Sequence, residues 1–261
     1  MFRFSYQQSS LLIFPILFVT LFLSSCSQST IVSNQKSNSS QQVTTNDALE
    51  NFNRDVFEFN TSLDKLIFKP IAVTYKKATP EIIDTGISNI FDNLDDVGNA
   101  VNNLLQFKPG EALIDVERVL FNTSVGLGGI FDVATSIGLE KYDEDFGQTL
   151  AVWGVDSGSY IMLPFFGPST LRDATAKLTI DRLLDPANYT NDSLALFGIE
   201  YIDKRGDLLV EEDAFKDFAN DEYIAIRDAW LQRREYLIKD GKVDDGAQSD
   251  MIDELEDLDD E

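Results

Sequence analysis

Residues 46–68 read NDALENFNRDVFEFNTSLDKLIF, and this stretch decides the fold class. Leu49, Phe52, Val56, Phe59, Leu63 and Leu66 recur at steps of three and four, the period of one face of an α-helix. Arg54, Asp55, Glu58 and Lys65 fall on the opposite face. Asn46 or Asp47 is placed to cap the helix, and Pro70 is expected to stop it.

The same period returns downstream. Thr79-Pro80-Glu81 opens a second helix with a cap and a first-turn proline, and Ile83, Ile87, Ile90, Leu94, Val97, Val101 and Leu104 form its stripe. Asn89, Asn93, Asn99 and Asn102 lie off that stripe, and Gly86 and Gly98 weaken the segment enough to suggest two helices. After a Lys108-Pro109-Gly110 turn, EALIDVERVLFNTS places Leu113, Val116, Val119 and Leu120 on a further apolar face. NDEYIAIRDAWLQRREYLIKDG, residues 220–241, carries Tyr223, Ile226, Trp230 and Leu237 on one side, with Asn220 as cap and Gly241 as stop. Arg227, Arg233 and Arg234 give this last helix a basic face. We read it as internal neutralisation of the acids, with a partner- or phosphate-facing role as the alternative. The fold class is mostly α, in one domain over residues 47–241 and without an obvious repeat.

Two segments interrupt the helical pattern. Residues 125–132, VGLGGIFD, set Gly126, Gly128 and Gly129 close together. The dinucleotide pattern GxGxxG is broken by Phe131 and no Walker lysine follows, so the segment reads as a mobile gate or as a helix breaker. Residues 146–173 mix Phe146, Trp153, Tyr160, Met162, Phe165 and Phe166 with glycine and proline. That density of apolar side chains suits a buried irregular segment or a surface seated in lipid. Arg172-Asp173 is expected to pair locally or to cap the next element.

The ends carry other signals. Arg3, the apolar run 11–23 and the small residues after it have the layout of a secretory signal, and the run is short of the ~20 residues of a spanning helix. Leu23-Ser24-Ser25-Cys26 resembles a bacterial lipobox, whose cysteine is acylated and becomes the mature N-terminus. Residues 1–25 are thus expected to be a lipoprotein signal and 26–46 a lipidated, polar tether. Ser27 rather than aspartate after Cys26 resembles the rule that favours outer-membrane sorting. Residues 242–261 are expected to form an acidic, disordered tail: the last nineteen hold ten acids and no base.

Composition narrows the function. The chain has 21 basic and 45 acidic residues, net −24, which argues against nucleic acid and against adhesion to anionic lipid by charge alone. It contains no histidine and one cysteine, which removes Ser-His-Asp and Cys-His nucleophile systems and His-based zinc sites. Carboxylate chemistry stays open. The densest acidic cluster, Tyr142-Asp143-Glu144-Asp145, lacks the spacing of a calcium loop and reads as solvated loop. We expect no catalytic residues, no metal and no cofactor.

In order along the chain stand Leu49-Glu50-x-Phe52-Asn53-Arg54, Phe68-Lys69-Pro70-Ile71-Ala72, Ile87-Ser88-Asn89 and Arg118-x-x-Phe121-Asn122-Thr123. Gly126-x-Gly128-Gly129-x-Phe131-Asp132, Phe146-Gly147-x-Thr149-Leu150, Gly154-Val155, Leu163-Pro164-x-x-Gly167-Pro168-Ser169-x-x-Arg172-Asp173 and the Tyr223/Arg227 helix follow. This set resembles the MlaA (VacJ) family of outer-membrane lipoproteins and spans nearly all of residues 47–241. Ala48, Asn51 and Ser159 depart from the proline, glycine and proline common in the family. The resemblance implies a ring of amphipathic helices lying in the membrane plane around an amphipathic channel, beside an outer-membrane porin trimer. It implies that phospholipids strayed into the outer leaflet pass to a periplasmic, MlaC-like lipid carrier, without hydrolysis. On that reading Gly126, Gly128 and Gly129 form the channel gate loop, Phe52, Phe59, Tyr160, Phe165 and Phe166 are candidates to face lipid, and Cys26 carries the anchor. A scaffolding lipoprotein and a carboxylate hydrolase using Asp143 or Asp145 are the rival readings.

Overall fold

A computed structural model describes residues 49–209, 212 and 221–242. The chain divides into two compact units, residues 1–46 and 47–261, and every described residue belongs to the second. The signal segment, Cys26, the tether, the acidic tail beyond 242 and the expected caps Asn46, Asp47 and Asn220 lie outside the described residues.

The described residues are mostly helical, with one two-stranded hairpin. Helix α1 (Glu50–Leu63) runs through a π turn at Asp64–Phe68 directly into α2 (Lys69–Ala78). Pro70 therefore does not stop the helix. The π turn closes with the Lys69 N–H on the Asp64 carbonyl, and Pro70 then falls at the second position of α2, where a missing N–H is tolerated. Helix α3 (Glu81–Leu105) is one continuous helix of 25 residues. Its two glycines, each costing ~1 kcal/mol, are outweighed by packing against α4 (Pro109–Ser124).

The α3–α4 seam inverts the usual polarity. Asn93, Asp96, Asn99, Asn102 and Asn103 of α3 are buried, as are Asp115, Arg118 and Asn122 of α4. The pairing is antiparallel: the Asn93 amide donates to Thr123 Oγ1 at 3.0 Å, Arg118 Nε to Asp96 Oδ2 at 3.0 Å, and Asn103 Nδ2 to Asp115 Oδ2 at 2.8 Å. Leu104, Leu113, Val116 and Leu120 point outward, and Phe107, in the turn between the helices, is 86% exposed. Asn93, Asn99 and Asn102, off the apolar stripe, are thus the interior of this helix pair, while Asn89 is half-buried and donates to the Ile130 carbonyl at 2.9 Å.

One buried acid in the seam sets a pH dependence. Burial, aided by the nearby Asp96 charge, pushes Asp115 up to about 7 from an ordinary value of 3.8. Between those values the folded chain holds a proton that the unfolded chain has released, so stability falls as pH rises through the window and levels off above it. Asp115→Asn is expected to abolish that slope and to stabilise the protein at about pH 8 by roughly 1–3 kcal/mol, read by thermal unfolding in detergent. The new amide can donate to Asn103 Oδ1, which has no partner among the described residues.

After α5 (Val133–Ser136) and α6 (Phe146–Val152), β1 (Tyr160–Leu163) pairs antiparallel with β2 (Gly167–Thr170), from Tyr160 opposite Thr170 to Leu163 opposite Gly167. The apolar stretch 146–173 is therefore an ordered helix and hairpin. Helix α1 closes the free edge of β1 with side chains. Asn53 donates to the Tyr160 carbonyl at 3.2 Å and accepts from the Met162 N–H at 2.8 Å. Asn60 donates to the Leu163 carbonyl at 2.9 Å and accepts from the Phe165 N–H at 3.0 Å. Seven helical residues rise ~10.5 Å and three strand residues ~10 Å, so the two amides match the two strand positions.

The chain continues through α7 (Leu171–Ala176), a π turn at Lys177–Asp181, α8 (Arg182–Leu184), a 3₁₀ turn at Pro186–Tyr189, α9 (Ser193–Asp207) and α10 (Glu222–Ile238). Asp221 caps α10 by accepting from the Ile224 N–H at 3.2 Å, and Gly241 ends it with φ +74°. A small aromatic core joins Tyr160, Met162 and Tyr223, with Trp230 packed on it. Tyr160 is consequently not a lipid-facing residue: it is 6% exposed, with its ring edge-on to Tyr223 and Trp230.

Candidate functional site

A cavity of about 420 Å³ opens between α3, α6, β2, α7 with the π turn after it, α9 and α10. Its wall is amphipathic. Leu94, Leu184, Trp230 and Leu237 are apolar, while Asp95, Asp181, Asp185, Lys177 and Lys204 are charged.

Arg234 of α10 holds one side of it. Its guanidinium donates to both oxygens of Asp145 at 2.6 and 2.7 Å and to both of Asp173 at 3.0 and 3.1 Å. Arg172 Nε adds a bond to Asp173 at 2.9 Å, and Thr170 caps α7 by accepting from the Asp173 N–H at 3.2 Å. Burial alone would raise Asp173, but the bonds from Arg172 and Arg234 outweigh it and hold the carboxyl below its usual range. Position 147 must be glycine here, because a Cβ would lie 2.5 Å from both Arg234 Nη2 and Asp173 Oδ1.

Other cavity groups are less satisfied. Lys177 is solvent-accessible yet walled in, and that burial lowers its ammonium pKa. Among the described residues no carboxylate lies within ion-pair distance of it, and its ammonium sits 5.5 Å from the Phe166 ring centre. Burial pushes Asp181 to about 6, although it accepts the Phe146 N–H at 2.8 Å. Gln148 is 3% exposed; its Nε2 donates to the Asp143 carbonyl at 3.2 Å, and its Oε1 has no partner among the described residues.

The glycine loop is tied down at its base. The N–H groups of Gly126, Gly128 and Gly129 donate to the carbonyls of Phe121, Thr123 and Asn122 at 3.1, 2.9 and 2.9 Å. A Cβ at 126 would lie 2.2 Å from the Phe131 carbonyl oxygen and 2.4 Å from that of Asn122, so no side chain fits there. Asp132 closes the loop, accepting from the Asn122 amide at 3.1 Å and capping α5 through the Thr135 N–H at 3.0 Å. Val125, Leu127, Ile130 and Phe131 are exposed.

Phe52, Phe59 and Phe165 are exposed, and Phe59 and Phe165 meet edge-on at 5.7 Å. Phe166 is half-buried against Phe197 at 5.8 Å. The glycine loop contacts α3 and α4 instead, so these residues form separate patches. The acidic cluster is a solvated loop only at Asp143, which is exposed. Glu144 accepts from Gln106 Nε2 at 2.6 Å and Lys108 Nζ at 2.8 Å, and both Asp145 oxygens are taken by Arg234. Lys177, Asp181 and Gln148 escape a reading by periodicity. The signal available for the ion-pair site was the Arg227/Arg234 spacing of seven on a helix that also carries Tyr223 and Trp230.

Among the described residues no helix is long and apolar enough to cross a membrane. A helical domain with a polar seam, exposed apolar side chains and a charged cavity presents surface of the kind that marks contact with a membrane or a partner. The chain belongs to the MlaA lipoprotein family, whose model matches residues 45–237. It is 33% identical over 225 residues to the Escherichia coli protein named intermembrane phospholipid transport system lipoprotein MlaA, covering 82% of this chain and 88% of that one. The Haemophilus influenzae protein of the same name is 31% identical over 220 residues, with the same coverage. An uncharacterised protein of Rickettsia conorii is 37% identical over 209 residues, covering 79% of this chain and 83% of that one. A solved structure described as "Structural basis for maintenance of bacterial outer membrane lipid asymmetry" is similar with TM-score 0.66 and 34% identity, covering 73% of this chain and 98% of that chain.

Proposed function

We propose that this protein is an outer-membrane lipoprotein that withdraws misplaced phospholipids from the outer leaflet and passes them to a periplasmic, MlaC-like carrier. The helices lie in the membrane plane beside a porin trimer and surround an amphipathic channel. The observation that carries this reading is the polarity of the α3–α4 pair, with Ile83, Leu104, Leu113, Val116 and Leu120 outward and Asn93, Asp96, Asp115 and Arg118 inward. A phospholipid cannot cross an apolar wall cheaply, since an unpaired polar group costs roughly 2–7 kcal/mol to bury and a phosphate more. A wall with both apolar and charged surface lowers that cost without breaking a bond. The names of the relatives agree with this reading.

Loop 125–132 is the gate in this proposal, moving as one piece on its hydrogen-bonded base with Leu127 and Phe131 outward. Outer-leaflet phospholipid, measured in cells lacking the protein, is expected to rise and to return to normal on re-expression. Gly126→Ala, which forces the Phe131 and Asn122 carbonyls away, is expected to leave it raised. Gly110→Ala, with nothing within 4 Å of its Cβ, serves as control and should restore it. An unchanged outer leaflet in the deletion strain would favour a scaffold; full rescue by Gly126→Ala would remove the gate.

A further inference from the structure

We propose that the cavity between α3, α6, the Lys177–Asp181 turn and α10 selects phospholipids whose headgroup carries a primary ammonium over those with an anionic headgroup. This rests on the transport reading above and names the substrate class of that cavity. Among the residues that line it, carboxylates outnumber cations seven to three. Four of the seven are ion-paired: Asp145 and Asp173 share Arg234, Arg172 adds a second pair to Asp173, and Glu144 and Asp143 pair with Lys108 and Lys141 from outside the lining. Asp181 and Asp185 have no ion pair among the described residues, and Asp95 has only a 3.5 Å contact to Lys204. A headgroup with net negative charge meets this residual negative field across low-dielectric walls, where charges act more strongly than in water.

A second, independent observation points to a donor. Gln148 lines the same cavity nine-tenths buried, and its amide nitrogen is committed to the Asp143 carbonyl, which leaves Oε1 as an acceptor without a partner. Such an oxygen needs an N–H or O–H, and an ammonium carries three N–H donors. The phosphate that every phospholipid shares has its own counter-charge in Lys177, one turn before Asp181 and without a carboxylate partner among the described residues. A zwitterionic headgroup matches both signs of the wall; an anionic one satisfies Lys177 and nothing else.

The test uses the full-length lipidated protein in detergent, equilibrated with equal amounts of phosphatidylethanolamine and phosphatidylglycerol, with bound lipid read by mass spectrometry. Phosphatidylethanolamine is expected to be enriched about tenfold, the factor that one charge-assisted hydrogen bond contributes to binding. The double variant Asp181→Asn/Asp185→Asn keeps the oxygens that accept the Phe146 and Ala187 N–H groups while removing both charges, and should bring the ratio close to one. Gln148→Leu should lower it too, and its melting temperature checks folding. Bound lipid at the supplied ratio, or enriched in phosphatidylglycerol, would overturn the selectivity and leave transport standing. No bound phospholipid of either kind would overturn both. Repeating the capture in excess free ethanolamine separates a lipid site from a small-amine site: unchanged enrichment supports the proposal, and lipid lost to bound ethanolamine overturns it.

Discussion

Arg118→Leu is expected to destabilise the domain by about 3–5 kcal/mol, the range for removing one partner of a buried ion pair. Arg118 is 2% exposed and Asp96 0%. Removing the guanidinium leaves the Asp96 carboxylate between two helices with only the Asn99 amide, at 3.5 Å, as a side-chain hydrogen-bond neighbour. It also strips the donors that reach Thr135 Oγ1 at 3.0 Å and the Leu139 carbonyl at 2.7 Å, so the segment after the glycine loop loses its tie to α4. Asp96→Leu/Arg118→Leu together should recover much of the loss, because apolar replacement of a whole buried pair is often near neutral. Arg54→Leu gives the contrast. Its pair with Asp221 is 36% and 39% exposed, and its loss should cost at most about 1 kcal/mol. Melting curves in detergent that show equal losses for Arg54→Leu and Arg118→Leu would overturn the buried seam as the main polar support.

Removing the acyl anchor is expected to have the largest functional effect. With the signal exchanged for one cleaved without lipid attachment, and Cys26→Ala, the chain should move from the membrane fraction to the soluble periplasmic fraction. Each buried CH₂ contributes about 0.8 kcal/mol, and stable anchoring needs two membrane signals. Helices α1, α3 and α4 expose apolar side chains, but a surface helix binds reversibly, and a net charge of −24 adds no attraction to anionic lipid. Outer-leaflet phospholipid should then rise to the level of the deletion strain. A Cys26→Ala chain that stays wholly in the membrane fraction would place the anchor in those helical faces or in a membrane partner instead.

Much of the helical framework was legible as period. Steps of three and four marked α1, α3, α4 and α10, and Thr79-Pro80-Glu81 and Gly241 marked two of their ends. The misread points share one cause. Pro70 and the glycines of α3 were judged by local preferences of ~1–3 kcal/mol, which a π turn and helix packing override. The hairpin within 146–173 was hidden because its edge is satisfied by Asn53 and Asn60, more than a hundred residues earlier.

By itself the sequence determined the helical class, the family and the exclusion of histidine chemistry, because each depends only on composition, order and spacing. It also determined that α3 has a polar stripe beside its apolar one. Only the tertiary structure decided which stripe is interior. Periodicity defines two faces but does not say whether water or hydrocarbon lies outside, and here Arg118 supplies Asp96 with a buried counter-charge that lets the polar face turn inward. The cavity was likewise settled by folding alone. Arg234 meets Asp145 and Asp173 across 89 and 61 residues, and Gln148 becomes informative only once its amide nitrogen is committed and its oxygen is left buried with no partner among the described residues.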